Sequence, residues 1–428
     1  MFRWIFLIVV LFILEIYTFF AIRTLTKNKF ILISFWGIVI LVYAVFFYQT
    51  TLAQKEGRFS LSTGYAIALL LTFSVPKLLV LGILFLEDIF RFFASFFNYF
   101  QQGNSNISEA IPSRRKFISQ IALGIAAIPF ASFIYGVFKG KYNFKVLKET
   151  IYFDDLPDAF DGYKLTQISD IHSGSLDNKD KVEYAVNLIN EQKSDIILFT
   201  GDIVNSVAEE MNPWIDSFKK LHATDGMYAV LGNHDYGYYA YRKEEEIAEN
   251  QKKMETIHKS IGFDLLLNES RTIEKNGDTI NILGVENWGA SRHFPKRGSL
   301  KKATENISNG EFNILLSHDP SHFDYKKQEL NTSDKNKSDF ITDETNIIDF
   351  DKKIQLTLSG HTHGMQFGIE IPTLNIKWSP VKYRYHNWAG LYKKAEKYLY
   401  VNRGFGVLAF PGRVGIWPEI TVIELKKA

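Results

Sequence analysis

Acidic and imidazole side chains recur in the second half of the chain, each set placed directly after a short apolar run. Asp170 and His172 follow the run 163–169, and Asp202 follows the run 195–200. Asn233, His234 and Asp235 follow the run 227–231. His318 follows the run 312–317, and His361 and His363 follow the run 354–358. Carboxylate, amide and imidazole groups without thiolates suit hard or borderline divalent cations. Two imidazoles one residue apart can serve two neighbouring cations, one each.

The apolar runs predict the strands that must position these groups. Short strands alternate with polar helical stretches at 179–193 and 243–261, which indicates a layered α/β domain. In open α/β sheets, residues just beyond the carboxyl ends of strands gather in one crevice, so five loops are expected to converge. Glycines at 360 and 364 would let the backbone turn sharply beside the histidine pair.

Two further segments of this part of the chain have distinct patterns. Asn276-Gly277 lies between residues 271–275 and 279–285 and predicts a tight hairpin turn. Residues 325–350 are polar and have no apolar period, so we interpret them as an inserted surface loop.

The composition of the chain excludes several classes of protein and of functional site. The chain has 428 residues, a net charge of +2 and no cysteine. Near-neutral charge implies no nucleic-acid partner, and the absence of cysteine excludes disulfides, thiolate metal sites and cysteine nucleophiles.

The first 140 residues predict a membrane region. Four apolar stretches, at 2–22, 30–49, 64–86 and 118–138, are each about as long as a bilayer crossing. We assign residues 1–112 to a helical region of about three spans and residues 113–140 to a further anchor helix. Glu15 and Lys77 lie within the first and third spans, where they would either pair with each other or extend toward headgroups.

The stretch Ser113-Arg114-Arg115-Lys116-Phe117-Ile118 precedes the last span and resembles the twin-arginine export signal. A basic cytoplasmic anchor is the alternative. Both interpretations keep the arginines inside the cell and send the C-terminal domain outward, although the lysines at 139, 141 and 145 favour the reverse. The prediction is a multi-pass protein of the bacterial inner membrane whose catalytic domain is extracytoplasmic.

The ordered motifs resemble those of the calcineurin-like metallophosphoesterases. The resemblance covers residues from about 147 to 428 and implies a two-sheet sandwich with helices on both outer faces. The segments "GMQFG", "AGLY" and "YVNRGFG" resemble the bacterial membrane-attached branch, which includes twin-arginine-exported phosphoesterases and enzymes similar to UDP-2,3-diacylglucosamine hydrolase.

The resemblance also implies roles for individual residues. One metal ion would be bound by Asp170, His172, Asp202 and His363, and a second by Asp202, Asn233, His318 and His361. The metals would be Mn, Fe or Zn, and a hydroxide between them would be the nucleophile.

A separate set of residues would handle the proton. His234 would contact the phosphate and protonate the leaving oxygen. Where many relatives carry an aspartate that orients this imidazole, the chain has Asn205, whose amide oxygen would accept the ring N–H, or Asp235 would take that role.

Together these features predict a membrane-anchored, dimetal phosphoesterase that cleaves a phosphodiester or pyrophosphate. Its substrate would be lipid-linked or a component of the cell envelope. The alternative is a membrane scaffold or receptor whose phosphoesterase-like domain is catalytically silent.

Overall fold

The computed structural model describes residues 2–56, 59–101, 111–291, 293–308, 310–325, 345–374 and 376–428. The chain divides into two compact units, and the main boundary between them lies between Phe138 and Lys139. The first unit is helical, and the second contains the motifs with metal-ligand side chains.

The helical unit consists of α1 (Phe2–Leu25), α2 (Lys29–Glu56), α3 (Leu61–Gln101) and α4 (Ile111–Phe138). Among the described residues, three stretches are long and apolar enough to cross a membrane: Lys29–Lys55, Leu61–Phe97 and Arg114–Phe138. The first predicted span, 2–22, lies in α1, where several side chains near the N-terminus fall outside the described set. Pro76 does not interrupt α3, which continues as one helix through the aromatic stretch that follows.

Charged side chains inside this unit are paired between helices. Lys77 donates to both carboxylate oxygens of Glu15 at 2.7 Å, and the Tyr43 hydroxyl donates to the same carboxylate at 2.9 Å. The predicted Glu15–Lys77 pair is therefore confirmed. Of the two arginines of the export-like motif, Arg115 donates to Asp88 of α3 at 2.8 Å.

The second unit is a mixed α/β domain with short helices and many strands. Its helices are α5 (Lys179–Glu191), α6 (Ile215–Phe218), α7 (Glu244–Ile261) and α8 (Leu300–Ala303). Its strands are β1 (Lys145–Phe153), β2 (Lys164–Ile168), β3 (Ile196–Phe199), β4 (Met227–Ala229), β5 (Asp264–Leu265), β6 (Glu269–Lys275), β7 (Asp278–Gly284), β8 (Phe312–Leu316), β9 (Leu356–Ser359), β10 (Ile369–Ile371), β11 (Ile376–Trp378), β12 (Gly390–Lys394), β13 (Lys397–Val401) and β14 (Glu419–Lys427).

These strands form two six-stranded sheets and one hairpin. The first sheet has the order β1-β14-β2-β3-β4-β5, and the second has the order β12-β13-β9-β8-β7-β6. Strands β2, β3 and β4 run parallel in the first sheet, as do β7, β8 and β9 in the second. Within the part of the chain that the structure describes, strands β10 and β11 pair only with each other.

Successive residues of a strand face opposite sides of its sheet, so each sheet contacts an apolar core on both faces. In β3, Ile196 and Leu198 face the apolar core between the sheets, whereas Ile197 and Phe199 face the core under the outer helices. Helices α5 and α7 cover that outer face of the first sheet, and α8 covers the second sheet. The predicted fold class, a two-sheet sandwich flanked by helices and preceded by an apolar helical region, is confirmed.

The predicted hairpin turn is also confirmed, because Asn276 and Gly277 join β6 to β7 with left-handed φ values of 50° and 88°. Most of the predicted insertion at 325–350 cannot be compared, since residues 326–344 lie outside the described residues. The predicted domain boundaries remain predictions.

Candidate metal centre

The predicted ligands lie on loops at the carboxyl ends of β2, β3, β4, β8 and β9, as expected. Main-chain hydrogen bonds connect these loops. Asp170 donates its N–H to the Gly201 carbonyl at 2.8 Å, and His172 donates to the Asp202 carbonyl at 3.1 Å. Gly360 donates to the His318 carbonyl at 2.9 Å, which links the two loops from the second sheet.

The backbone at the site adopts conformations that side chains other than glycine rarely take. Five of the seven predicted ligands have left-handed φ values: 51° at Asp170, 46° at His172, 61° at Asp202, 72° at His361 and 50° at His363. Strain of this kind concentrates at functional sites, where the surrounding structure enforces it.

Close packing against the ligands explains two glycines beside them. A Cβ added to Gly360 would lie 2.3 Å from Asp170 Oδ2, and one added to Gly232 would lie 2.2 Å from Asp202 Oδ1. The sharp turn predicted after the histidine pair is present as well, with Gly364 at a φ of 54°.

One group of ligand atoms is formed by Asp170, His172 and His363, whose candidate donor atoms all lie within 4.8 Å of one another. His363 Nε2 lies 3.2 Å from Asp170 Oδ1 and 3.0 Å from His172 Nε2. All three side chains are buried.

A second group is formed by Asp202, His318 and His361. His318 Nε2 lies 3.1 Å from Asp202 Oδ2 and 3.2 Å from His361 Nδ1. The same Asp202 oxygen lies 3.6 Å from His172 Nε2 of the first group. Asp202 therefore stands between the two groups, where a bridging carboxylate would be required.

The seventh predicted ligand, Asn233, provides a test of whether a cation fits. Its side chain is buried, and its amide nitrogen donates to the Tyr239 hydroxyl at 2.9 Å. Its Oδ1 atom has no hydrogen-bond partner within the part of the chain that the structure describes. A buried amide oxygen without a partner is costly, and a divalent cation would satisfy it.

Two of the imidazoles are oriented by main-chain carbonyls. His172 Nδ1 lies 3.1 Å from the Val204 carbonyl, and His318 Nδ1 lies 2.7 Å from the Thr200 carbonyl. A carbonyl can only accept, so Nδ1 carries the proton when the ring is neutral and the Nε2 lone pair faces the carboxylates. Metal-binding histidines are usually oriented in this way.

Electrostatics keeps the Asp202 carboxylate ionised despite its burial. Burial opposes ionisation of Asp202, but His318 and the neighbouring imidazoles outweigh it and hold the carboxyl pKa well below its usual range. Burial would lower the pKa of His318, but the Asp202 carboxylate raises it to about 10. Burial lowers the pKa values of His172 and His361, which favours their neutral, metal-binding forms.

The expected partner of His234 differs in the structure. His234 Nδ1 lies 2.6 Å from the main-chain carbonyl of Asn205, not from its side-chain oxygen. The Asn205 amide nitrogen donates instead to the Ser175 hydroxyl at 2.9 Å. The position of Asn205 is the one predicted, but the group that orients the ring is the peptide carbonyl.

Asp235 does not take that role either. Its fully buried carboxylate accepts N–H bonds from Asp202, Ile203 and Gly232, each at 2.8 Å. These bonds fix the loop that carries Asp202, so the side chain supports a candidate ligand and does not contact His234.

Sequence reasoning missed several residues that support the site. The Tyr385 hydroxyl lies 2.9 Å from His361 Nε2, and Glu210 accepts the Asn205 N–H at 2.6 Å. Neither residue belongs to one of the motifs that follow the strands, so no local signal identified them.

Arg403 and Arg413, two arginines near the C-terminal strands, are buried, and Arg413 Nη2 lies 3.4 Å from His363 Nδ1. Arg403 is buried against Glu419 and Glu370, each at 2.5 Å. Arg413 is fully buried and donates to the carbonyls of Gly404 and Gly406.

Comparison with known proteins agrees with this geometry. The family model "Calcineurin-like phosphoesterase" matches residues 163–365, and the model "Probable Calcineurin-like phosphoesterase, transmembrane domain" matches residues 2–141. The chain therefore carries a calcineurin-like phosphoesterase domain, preceded by a helical domain that matches the transmembrane domain associated with such phosphoesterases.

Relatives with similar sequences come from bacteria and vertebrates. The uncharacterized metallophosphoesterase YkuE of Bacillus subtilis is 28% identical over 324 residues, covering 73% of this chain and 98% of that protein. A transmembrane protein with metallophosphoesterase domain from Danio rerio is 27% identical over 301 residues, covering 69% of this chain and 60% of that protein. An uncharacterized metallophosphoesterase of Helicobacter pylori strain J99 is 27% identical over 318 residues, covering 74% of this chain and 73% of that protein.

Proposed function

We propose that this protein is a membrane-anchored phosphoesterase that hydrolyses a phosphodiester or pyrophosphate bond with two divalent cations. The observation that carries the proposal is the pair of ligand groups joined at Asp202. Six ligand-type side chains from four loops meet there. Asn233 lies on the loop after β4, and its buried side-chain oxygen has no partner among the described residues.

The donor set fits two cations. Asp170, His172 and His363 would hold one ion, and Asn233, His318 and His361 would hold the other, with Asp202 shared between them. Two bound cations would activate a water molecule and offset the charge that develops on the phosphoryl oxygens. The mixture of carboxylate, amide and imidazole donors suits Mn, Fe or Zn.

His234 would act on the leaving group. Its Nδ1 is occupied by the Asn205 carbonyl, so Nε2 is the nitrogen available to substrate. The centroid of the His234 ring lies 4.4 Å from that of Tyr239, with the planes tilted by 31°, and the ring stands edge-on to His172 at 5.0 Å. These two contacts fix the plane of the ring beside the ligand groups. A protonated ring held in this way can donate from Nε2 to a departing oxygen.

The membrane unit favours a substrate at the bilayer. A lipid-linked or cell-envelope phosphoester would be presented within reach of a domain that is tethered to membrane helices. Following the twin-arginine resemblance, we propose that the catalytic domain is extracytoplasmic in a bacterial inner membrane. A nucleotide-linked glycolipid such as UDP-2,3-diacylglucosamine would require the opposite side, so location decides between substrates.

Location can be tested with a reporter fused after residue 140, compared in cells with and without the twin-arginine pathway. We expect an extracytoplasmic reporter. A cytoplasmic reporter in both strains would contradict the proposed location and favour the nucleotide-linked glycolipid.

Activity can be tested with the full chain in detergent, bis(p-nitrophenyl) phosphate and Mn²⁺. Asp202→Ala and His361→Ala should lower kcat/KM by at least about a hundredfold, since each removes a ligand. His234→Ala should lower kcat while metal content stays the same. His222→Ala is the matched control, because the His222 side chain is exposed and its imidazole bonds to the Lys220 carbonyl of the same loop. Metal binding without hydrolysis by the unaltered chain would favour the silent scaffold instead.

A further inference from the structure

The hairpin formed by β10 and β11 has one polar and one apolar face. Its register pairs Ile369 with Trp378, Glu370 with Lys377, and Ile371 with Ile376. Successive strand residues point to opposite faces, so the two apolar pairs share one face and the Glu370–Lys377 pair occupies the other.

The polar face is the one attached to the domain. Glu370 pairs with the buried Arg403 at 2.5 Å, and the Lys377 ammonium donates to the Ala389 carbonyl. These contacts hold the hairpin in place and leave its apolar face turned away from the domain.

The outward face exposes large apolar side chains. Ile369, Ile371, Ile376 and Trp378 are all exposed, and Leu374 at the tip is 64% exposed. Contiguous apolar patches of this kind are uncommon on monomeric soluble proteins and mark binding surfaces.

We propose that this face docks on the lipid bilayer and seats the metal centre at the headgroups, so that the substrate is a phosphoester of a membrane lipid or lipid-linked molecule. The substrate part of this inference rests on the proposed function, whereas docking does not. Branched aliphatic residues with a tryptophan at the strand end are the composition of segments that insert into the membrane interface.

Two further observations favour lipid as the occupant. Only residues 139–144 separate the end of α4 from the start of β1, a segment that spans at most roughly 20 Å. The sandwich domain therefore stays close to a bilayer. Lys382 and Arg384 follow the hairpin with exposed side chains, and Tyr383 between them is 78% exposed. Basic and tyrosine side chains suit anionic headgroups and the interface.

The hairpin is connected directly to the metal centre. It begins just after the turn that carries His363, and at its other end the Ser379 hydroxyl donates to the Gly364 carbonyl at 2.6 Å. The following segment leads to Tyr385, whose hydroxyl contacts His361. Docking the hairpin would therefore fix the height of both histidines above the bilayer surface.

The chain has no cysteine, so a single introduced thiol can report on this face. We would label Leu374→Cys in the full chain with the environment-sensitive fluorophore NBD and reconstitute it in vesicles of phosphatidylethanolamine and phosphatidylglycerol. Ile371→Cys gives a second position on the same face. Tyr184→Cys is the control, an exposed aromatic site on α5.

We expect nitroxide-labelled lipids to quench the fluorophore at 374 and 371 several-fold more than at 184, and aqueous iodide to show the reverse order. Iodide quenching at 374 equal to that at 184 would overturn the proposal. So would protection from both quenchers, which would mean that protein covers the face. If this protection disappeared when the protein was diluted with additional lipid, the occupant of the face would be a second copy of this chain. That result would also overturn the proposal.

Failure of docking can be separated from failure of the proposed function. Hydrolysis of the soluble bis(p-nitrophenyl) phosphate does not need a membrane surface, so its loss alone would leave the docking result standing. Hydrolysis of the soluble diester with an iodide-accessible position 374 would retain the phosphoesterase and remove the docking surface.

Discussion

Replacing Asn205 by aspartate tests how the His234 imidazole is oriented. The new carboxylate would lie near the half-buried Glu210, which accepts main-chain N–H bonds from Asn205 and its neighbours. A Cβ added to Gly174 would lie 2.9 Å from Asn205 Nδ2 and 2.4 Å from Glu210 Oε2. Since both atoms lie that close to one point, their separation is at most about 5 Å.

The structure gives the magnitude of the effect. Two negative charges about 5 Å apart repel by roughly 3 kcal/mol at an effective dielectric constant of 20. That destabilisation corresponds to a fall in Tm on the order of 10 °C for a domain of this size. Repulsion raises the folded-state pKa of the carboxyl pair above its unfolded value. The loss of stability is therefore complete at high pH and decreases as pH falls and the carboxyls become protonated.

The assay combines thermal unfolding of Asn205→Asp between pH 5 and 8 with its pH–rate profile on the soluble diester. We expect the Tm of Asn205→Asp to be lower than that of the unaltered chain at pH 8 and to recover toward pH 5. We expect its pH–rate profile to be unchanged, because the His234 ring bonds to the peptide carbonyl. Asn205→Ser, which adds no charge, should show neither pH-dependent effect. A shifted limb in Asn205→Asp with unchanged stability would refute the reasoning and show that the side chain contacts the imidazole.

Three further predictions follow from individual contacts. Tyr385→Phe removes the hydroxyl 2.9 Å from His361 Nε2 and should weaken binding of one Mn²⁺ about tenfold in a titration; unchanged affinity would contradict this role. Burial lowers the pKa of His258 to about 4, so stability should fall by roughly 3 kcal/mol as pH drops from 6.5 to 4, and His258→Leu should remove that dependence in unfolding experiments. Glu15→Gln leaves the Lys77 ammonium without its counter-charge. This single change should lower Tm in detergent more than the double change Glu15→Gln with Lys77→Met does. Equal falls in Tm would contradict a stabilising Glu15–Lys77 ion pair.

Much of the fold could be predicted because its strands follow simple patterns. The runs before Asp170, Asp202 and His318 are short, apolar and bounded by polar residues, and the structure places β2, β3 and β8 within one or two residues of them. The convergence of their loops followed from sheet topology alone.

The supporting contacts could not be predicted, because they depend on main-chain positions and distant side chains. The Asn205 carbonyl that meets His234 has no residue-specific signal, since every peptide carries a carbonyl. Tyr385 reaches His361 from beyond the hairpin, 24 residues along the chain.

The hairpin itself was missed for a different reason. Strands β10 and β11 contain three residues each, and their apolar residues resemble a core-facing pattern. The contacts of Glu370 with Arg403 and of Lys377 with the Ala389 carbonyl show which face of the hairpin meets the domain.

Metal content per chain tests the central claim most directly. The full-length protein, purified in detergent, saturated with Mn²⁺ and freed of excess ion, should contain two ions per chain by elemental analysis. Asp202→Ala should retain fewer than one, because both ligand groups share that carboxylate. A single ion in the unaltered chain, or two ions retained by Asp202→Ala, would contradict a dimetal centre.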